Sequence, residues 1–213
     1  MHRKAFLMGL VVDTVSVVGA HGFLLPTTSF EAAPGEVTVV AGDAGYSSLA
    51  LALAVAGRTP LATGHVELDG DRSPSALRQH VALVDVPDVS EPYDALSVHR
   101  VLADELALAG APSRRADVTA FLTEHGLASR AGEPFEALSP ATRTSALLAI
   151  ARRHPATRVV VLDHPDRHGG DPHSWWPALA RHAQSGHVVV AIIGHATLHQ
   201  LGVQTRYEIG VRA

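Results

Sequence analysis

The stretch Val37-Thr38-Val39-Val40-Ala41-Gly42-Asp43-Ala44-Gly45-Tyr46-Ser47-Ser48-Leu49-Ala50-Leu51-Ala52-Leu53-Ala54-Val55-Ala56-Gly57 reads as a buried strand, a glycine-bearing loop and a helix in direct succession. Pro34-Gly35-Glu36 turns the chain into the apolar run Val37 to Ala41, which is the signal of a strand covered on both faces. From Leu49 onward the residues are strong helix formers, and Gly57 stops them. The loop Gly42 to Ser48 therefore lies at the carboxyl end of a buried strand and the amino end of a helix. Free N–H groups and the helix dipole there can attract an anion, with Ser47 and Ser48 as additional donors.

Working outward, Val11 to Val18 and Thr27 to Ala32 are β-rich and partly alternating. Gly64 to Gly70 reads as a short strand ended by an Asp-Gly turn, and Val81 to Val86 as another strand after a small helix. Asp88 to Asp94 is loop. From Ser97 to about Ala151 the pattern is helical, broken at Gly110-Ala111-Pro112, Gly126 and Gly132-Glu133-Pro134, which predicts a compact helical subdomain between strands. Val159 to Asp163 is an apolar strand ending in an acid; a helix from Trp175 to Gln184 follows, and the apolar strand Val188 to Ile193 ends in Gly194-His195. Strands apolar throughout are buried on both faces, which predicts an α/β sheet with a parallel core and ligand chemistry at the strands' carboxyl ends. Three polar loops follow such ends: Gly42 to Ser48, Asp163 to Asp171, and the loop at His195.

Composition narrows the chemistry. The chain has 213 residues, 46% of them apolar, which suits one domain with a sizeable core. Of 17 basic residues only Lys4 is a lysine, so a mechanism needing a phosphate-bound lysine further along the chain is excluded. The absence of cysteine excludes disulfides, thiolate chemistry and sulfur-based zinc sites, and fits a cytosolic protein. A net charge of -4 argues against broad nucleic-acid binding. The opening MHRKAFLMGLVVDTVSVVGA has the outline of a signal peptide, but Asp13 interrupts it and a first strand is expected instead. No run of eighteen apolar residues predicts a membrane span.

Those three loops, in this order and spacing, resemble the nucleotide-binding subunit of an ATP-binding cassette (ABC) transporter, from about Val11 to the C-terminus. Pro34-Gly35-Glu36-Val37 stands before the loop, Gly57 closes the following helix, and Gly64-His65-Val66-Glu67-Leu68-Asp69-Gly70 resembles the family's strand-and-turn after it. Leu138-Ser139-Pro140-Ala141-Thr142-Arg143 begins a helix ending near His154-Pro155 that leads to Asp163, as the family's signature motif leads to its second phosphate-site motif. Asp163-His164-Pro165 resembles that motif's Asp-Glu-Pro, and Gly194-His195 matches the switch histidine. The resemblance implies an α/β, P-loop NTPase-like (ABC ATPase) fold. That fold has a parallel-core sheet with flanking helices, an N-terminal antiparallel β portion and a helical subdomain at about 88–155, within a single domain spanning 1–213.

By the same resemblance the nucleotide-binding positions are Gly42, Asp43, Gly45, Ser47, Ser48 and Ser139, and the catalytic positions are Asp163, His164 and His195. Several have changed chemistry. In a working loop, GxxxxGK followed by Ser or Thr, backbone N–H groups cradle phosphates, the lysine reaches the β and γ phosphates, and the hydroxyl holds Mg²⁺. Here Ser48 stands at the lysine and Leu49 at the hydroxyl, so the charge-assisted phosphate contact and a hard-cation ligand are both missing. His164 stands at the glutamate that would polarise the attacking water, Pro140-Ala141 at the signature glycines, and Val86 at the expected glutamine; no aromatic residue stands near Val18 to stack on adenine.

The resemblance thus implies a degenerate transporter subunit. ATP and Mg²⁺ are the implied cofactors, with weak or absent ATP binding. Its implied partners are an integral-membrane permease, met through the helical subdomain, and a second cassette subunit in a homodimer or heterodimer, with no nucleic acid. The implied location is cytoplasmic, peripheral on the inner face of the cell membrane. Two alternatives remain open. One is an active ATPase using His164 as base, Ser47 and Ser48 in place of the lysine, and an arginine such as Arg143 reaching the phosphate from a neighbouring subunit. The other is a metal-binding protein built on Asp163, His164, Asp166, His168, Asp171 and His173, although their spacing matches no compact ligand motif and the favoured reading has no metal site. Trp175 and Trp176 are expected as one packed and one half-exposed ring.

Overall fold

A computed structural model describes residues 9–211; Lys4 and the basic tip of the sequence lie outside the described residues. The chain begins with an antiparallel hairpin, β1 (Leu10–Gly19) and β2 (Gly22–Ala32), followed by β3 (Val37–Ala41) and helix α1 (Tyr46–Val55). Next come β4 (Thr63–Leu68), α2 (Pro74–His80) and β5 (Val81–Val84), and then the helices α3 (Val98–Leu108), α4 (Arg115–Glu124) and α5 (Pro140–Ala151). The remaining elements are β6 (Val159–Asp163), α6 (Pro172–Gln184), β7 (Val188–Ile193), α7 (His195–Leu201) and the two-residue β8 (Tyr207–Glu208).

Five strands form a parallel sheet in the order β5-β6-β7-β3-β8, and three form an antiparallel sheet in the order β2-β1-β4. The parallel strands read as unbroken apolar runs because successive side chains enter different cores. Val160 and Leu162 of β6, with Val189, Ala191 and Ile193 of β7, join a core with α3, α4, α5 and α6. Val159 and Val161, with Val188, Val190 and Ile192, join a second core with α1 and the antiparallel sheet. Strand β7, and β6 as far as Leu162, therefore carry an apolar residue at every position, not at every other one.

The expected architecture is present, with shifted boundaries. Strand β2 starts at Gly22, five residues before the expected Thr27, because the hairpin pairs Val18 with Phe23 and Val17 with Leu25. Strand β5 ends at Val84, not Val86: Asp85 has a left-handed backbone, φ 56, which takes the chain out of the sheet. Helix α6 begins three residues early, with Asp171 accepting the N–H of His173 and Pro172 in the first turn. Between α4 and α5 the chain has only short 3-10 turns, at Ala128–Arg130 and Phe135–Ala137. Trp175 is fully buried and Trp176 partly exposed, as expected.

Candidate functional site

Strands β3, β6 and β7 are neighbours in the sheet, so their carboxyl ends bring Gly42, Asp163 and His195 to one edge of the molecule. A cavity of about 580 Å³ opens there, lined by Gly42, Asp43, Gly45, Ser47 and His195, with Phe23, Tyr46 and Glu208 among its other walls. Ser48, Asp163 and His164 lie beneath the loop, and Ser139 does not line the cavity.

Ser48, at the lysine position, is 1% exposed. Its hydroxyl accepts the N–H of Gly45 at 3.2 Å, and its one proton is offered to the Gly45 carbonyl at 2.9 Å and to Asp163 Oδ2 at 3.3 Å. Ser47 donates to the carbonyl of Leu24 on β2 at 2.8 Å. The two hydroxyls expected to meet a phosphate are turned onto the protein instead.

His164, only 5% exposed, has a left-handed backbone, φ 49 and ψ 62. Its ring Nδ1 is 2.7 Å from Asp163 Oδ1 and its Nε2 is 3.0 Å from the carbonyl of Gly42. A carbonyl and a carboxylate only accept, so this geometry favours the doubly protonated ring, in which both nitrogens donate. Burial lowers the pKa of His164, but the hydrogen bond and charge of Asp163, with help from the Gly42 carbonyl and Asp166, outweigh it and hold the pKa above the ordinary value. With both ring nitrogens directed at protein acceptors, neither is aimed at an attacking water.

Leu49 packs against the second core and offers no oxygen, while both carboxylate oxygens of Asp163 already accept hydrogen bonds. Among the described residues no lysine or arginine lines the cavity, whereas Asp43 and Glu208 do. A magnesium–nucleotide needs oxygen ligands and positive charge, and this donor set does not match it. His195 is exposed, with its Nε2 3.4 Å from Glu208 Oε1. Ser139 caps α5 by accepting the N–H of Thr142 at 3.3 Å, with Pro140 next to it in the first turn.

Two residues of this region escaped the sequence reading. No ring stands beside Val18 along the chain, but Phe23 is its partner across the hairpin and lines the cavity, 67% exposed. Gly19-Ala20-His21-Gly22 between two apolar runs was the available signal, since a tight antiparallel turn sets Phe23 opposite Val18. Tyr46, 80% exposed, is a second ring on the cavity wall.

Arg143 is corrected. It is buried, donates from Nε and Nη2 to both oxygens of Asp85 at 2.9 and 2.8 Å, reaches Asp94 with Nη1, and lies 4.9 Å from the centre of the Phe135 ring. Buried against these carboxylates, its guanidinium is turned inward and not toward a phosphate on another subunit. Arg167 and His168 also bond Asp85, at 2.9 and 3.0 Å. Burial would raise the pKa of Asp85, but the bonds from Arg143 and His168 and the charges of Arg167 and Arg143 hold it far below the carboxylate range.

Of the six residues of the metal alternative, Asp163 and His164 bond each other and the other four go to separate partners. Asp166 accepts from Thr197, His168 meets Asp85, Asp171 caps α6, and His173 meets the carbonyl of Gln200. Among the described residues, the group of metal-ligating side chains brought within 4.8 Å is Asp85, Glu91 and His168, and two guanidinium groups already neutralise Asp85.

The arrangement of sheet, glycine loop and inserted helices defines a P-loop NTPase-type α/β fold. Within that class the chain has the fold of ABC transporter ATP-binding subunits. The structure of an ATP-binding subunit of an ABC transporter is 17% identical, covers 90% of this chain and 82% of that one, and superposes with a TM-score of 0.61. CbiO1 from Clostridium perfringens, part of the ABC transporter complex cbiONQ, is 19% identical over 87% of this chain and 78% of its own, with a TM-score of 0.62. An ABC transporter ATP-binding protein from Pyrococcus furiosus is 16% identical over 88% of this chain and 92% of its own, with a TM-score of 0.66. No family model matches the sequence. No curated protein matches it either.

Proposed function

We propose that the chain is an ABC-type subunit of a membrane transporter that binds nucleotide weakly, does not hydrolyse it, and serves as a partner or regulatory subunit. The observation that carries this reading is the burial of Ser48: the position where the family places a phosphate-binding cation holds a hydroxyl directed at Gly45 and Asp163. Phosphoryl transfer depends mostly on electrostatic stabilisation, and the charged side chains lining the cavity among the described residues include the carboxylates of Asp43 and Glu208 but no lysine or arginine. A catalytic base at His164 is disfavoured by the same geometry, because both ring nitrogens are engaged.

A membrane-permease partner is supported by a cleft of about 380 Å³ between the sheet edge and the helical subdomain. Val81, Leu83 and Val84 of β5 form one wall, Leu108 and Leu147 the other, and Arg58 and Arg78 lie among its polar residues. Leu108 is among the most exposed large apolar side chains of the described residues. Among those residues no helix is long and apolar enough to cross a membrane. The likeness in fold to ABC transporter ATP-binding subunits supports the proposed role, peripheral on the cytoplasmic face beside a second cassette subunit.

Titration calorimetry of the purified chain with ATP, with and without Mg²⁺, tests the reading. The expected outcome is binding no tighter than about millimolar, about -4 kcal/mol, with no steady-state phosphate release. Micromolar Mg-dependent binding with turnover lost in both Asp163→Asn and His195→Ala would overturn it.

A further inference from the structure

Beneath the loop, hydrogen bonds run in a closed series. The Gly42 carbonyl is met by His164 Nε2, His164 Nδ1 meets Asp163 Oδ1, Asp163 Oδ2 is met by the Ser48 hydroxyl, and that hydroxyl accepts the N–H of Gly45. Both glycines of the loop are thereby fastened to the end of β6. Arg167 holds that end from the other side, donating from Nη1 to the carbonyls of Asp163 at 3.0 Å and His164 at 3.3 Å. The backbone N–H of His164 is itself bonded to the carbonyl of Ile192 on β7 at 2.9 Å.

The conformation of His164 shows that this arrangement is over-determined. A left-handed backbone is unfavourable for a residue with a Cβ, and such a residue persists where its surroundings impose it. Here the imposed turn places the imidazole, 3.0 Å from Gly42, under the loop. Each buried acceptor in the series has a donor, so opening the loop would strand polar groups away from water.

We propose that His164, Asp163 and Ser48 form an internal latch that holds Gly42 to Ser48 in its ordered form without a ligand, so that this face of the molecule is set permanently and not by nucleotide. In this role His164 is a positioning residue. The proposal rests on the reading of Gly42 to Ser48 as a phosphate-loop position and is independent of the membrane partner. The latch needs neither a lysine at position 48 nor a metal ion, which accounts for serine there and leucine at 49.

Hydrogen–deuterium exchange of the full chain, read by mass spectrometry on peptides spanning 42–48, tests the latch with Mg·ATP as the probe. His164→Asn is the informative variant, because asparagine tolerates the left-handed backbone yet is too short to bridge Asp163 and Gly42. Ser48→Ala removes the other limb with little change in volume. In the wild type, exchange over 42–48 is expected to be slow and unchanged by millimolar Mg·ATP. In each variant it is expected to accelerate about tenfold, the effect of losing one such bond, while peptides over α3 and α4 keep their rates. Unchanged exchange over 42–48 in both variants, or a wild-type loop that becomes protected only when Mg·ATP is added, overturns the latch. Failure of the latch is distinguishable from failure of the proposed function: the first shows in the variants while calorimetry stays silent, the second as tight Mg·ATP binding to the wild type.

Discussion

Arg143 and Glu105 carry the strongest electrostatic consequences of single residues. Arg143 gives two parallel hydrogen bonds to Asp85 in a buried setting and a further ion pair to Asp94. Arg143→Ala removes two of the four bonds to Asp85, which Arg167 and His168 still meet, so it is expected to cost about 1.5–3 kcal/mol in urea unfolding. Arg143→Lys is expected to recover only part of that loss, since an ammonium lacks the planar fork. Glu105, on α3, lines the cleft beside β5; burial first, then the charges of Asp85 and Asp104, raise its pKa from 4.5 to about 7 against the opposing effect of Arg143. The folded state therefore holds this proton more tightly than the unfolded chain. Its contribution to stability falls as pH rises from about 4.5 to about 7 and is level beyond. Glu105→Gln is accordingly expected to melt at a higher temperature than the wild type at pH 8 and at the same temperature at pH 4.

At the scale of elements, Gly64 joins β4 to β1 where their register shifts between Asp13 and Ser16. Its φ is 74, and an added Cβ would lie 2.2 Å from the carbonyl oxygen of Asp13 and 2.4 Å from that of Thr14. Those are backbone atoms that cannot swing away. Gly64→Ala is expected to lower stability by about 3 kcal/mol, read as a lower urea midpoint with the same slope. The parallel strands were legible in the sequence because burial on two faces demands an unbroken apolar run, as in Val159 to Leu162 and Val188 to Ile193. Strand β2 was only half legible: Thr27 to Ala32 reads as β-rich, but Pro26 separates it from Phe23-Leu24-Leu25, and its start depends on pairing with β1. Without that pairing Phe23 could not be placed beside the cavity. At the site, the loop and the residues at strand ends were legible from spacing. The bonds of Ser48, His164 and Arg143 were not, because partners such as Asp163, Gly42 and Asp85 are distant in sequence and their directions follow from tertiary packing.

For the whole molecule, the sheet separates two cores, and one polar cluster ties the helical insertion to the rest. Asp85 follows β5, Arg143 belongs to α5, and Arg167 and His168 follow β6, so a single buried carboxylate gathers three segments. Strand β8 has a different role. It pairs only Tyr207 and Glu208 with Val40 and Ala41, yet it covers the flank of β3 that β7 leaves open. Gly210 donates its N–H to Thr28 at 3.0 Å, and the Ile209 side chain stands above Gly42. A chain shortened to end at Gln204 would bare the β3 flank, with its unpaired N–H and carbonyl groups, as a template for the same strand of another molecule. Light scattering on warming is expected to show association of the shortened chain at temperatures where the full chain stays monodisperse. Two residues of strand thus act as a guard against aggregation, and fusing a partner or tag close behind them risks disturbing solubility more than any change to the cavity they border.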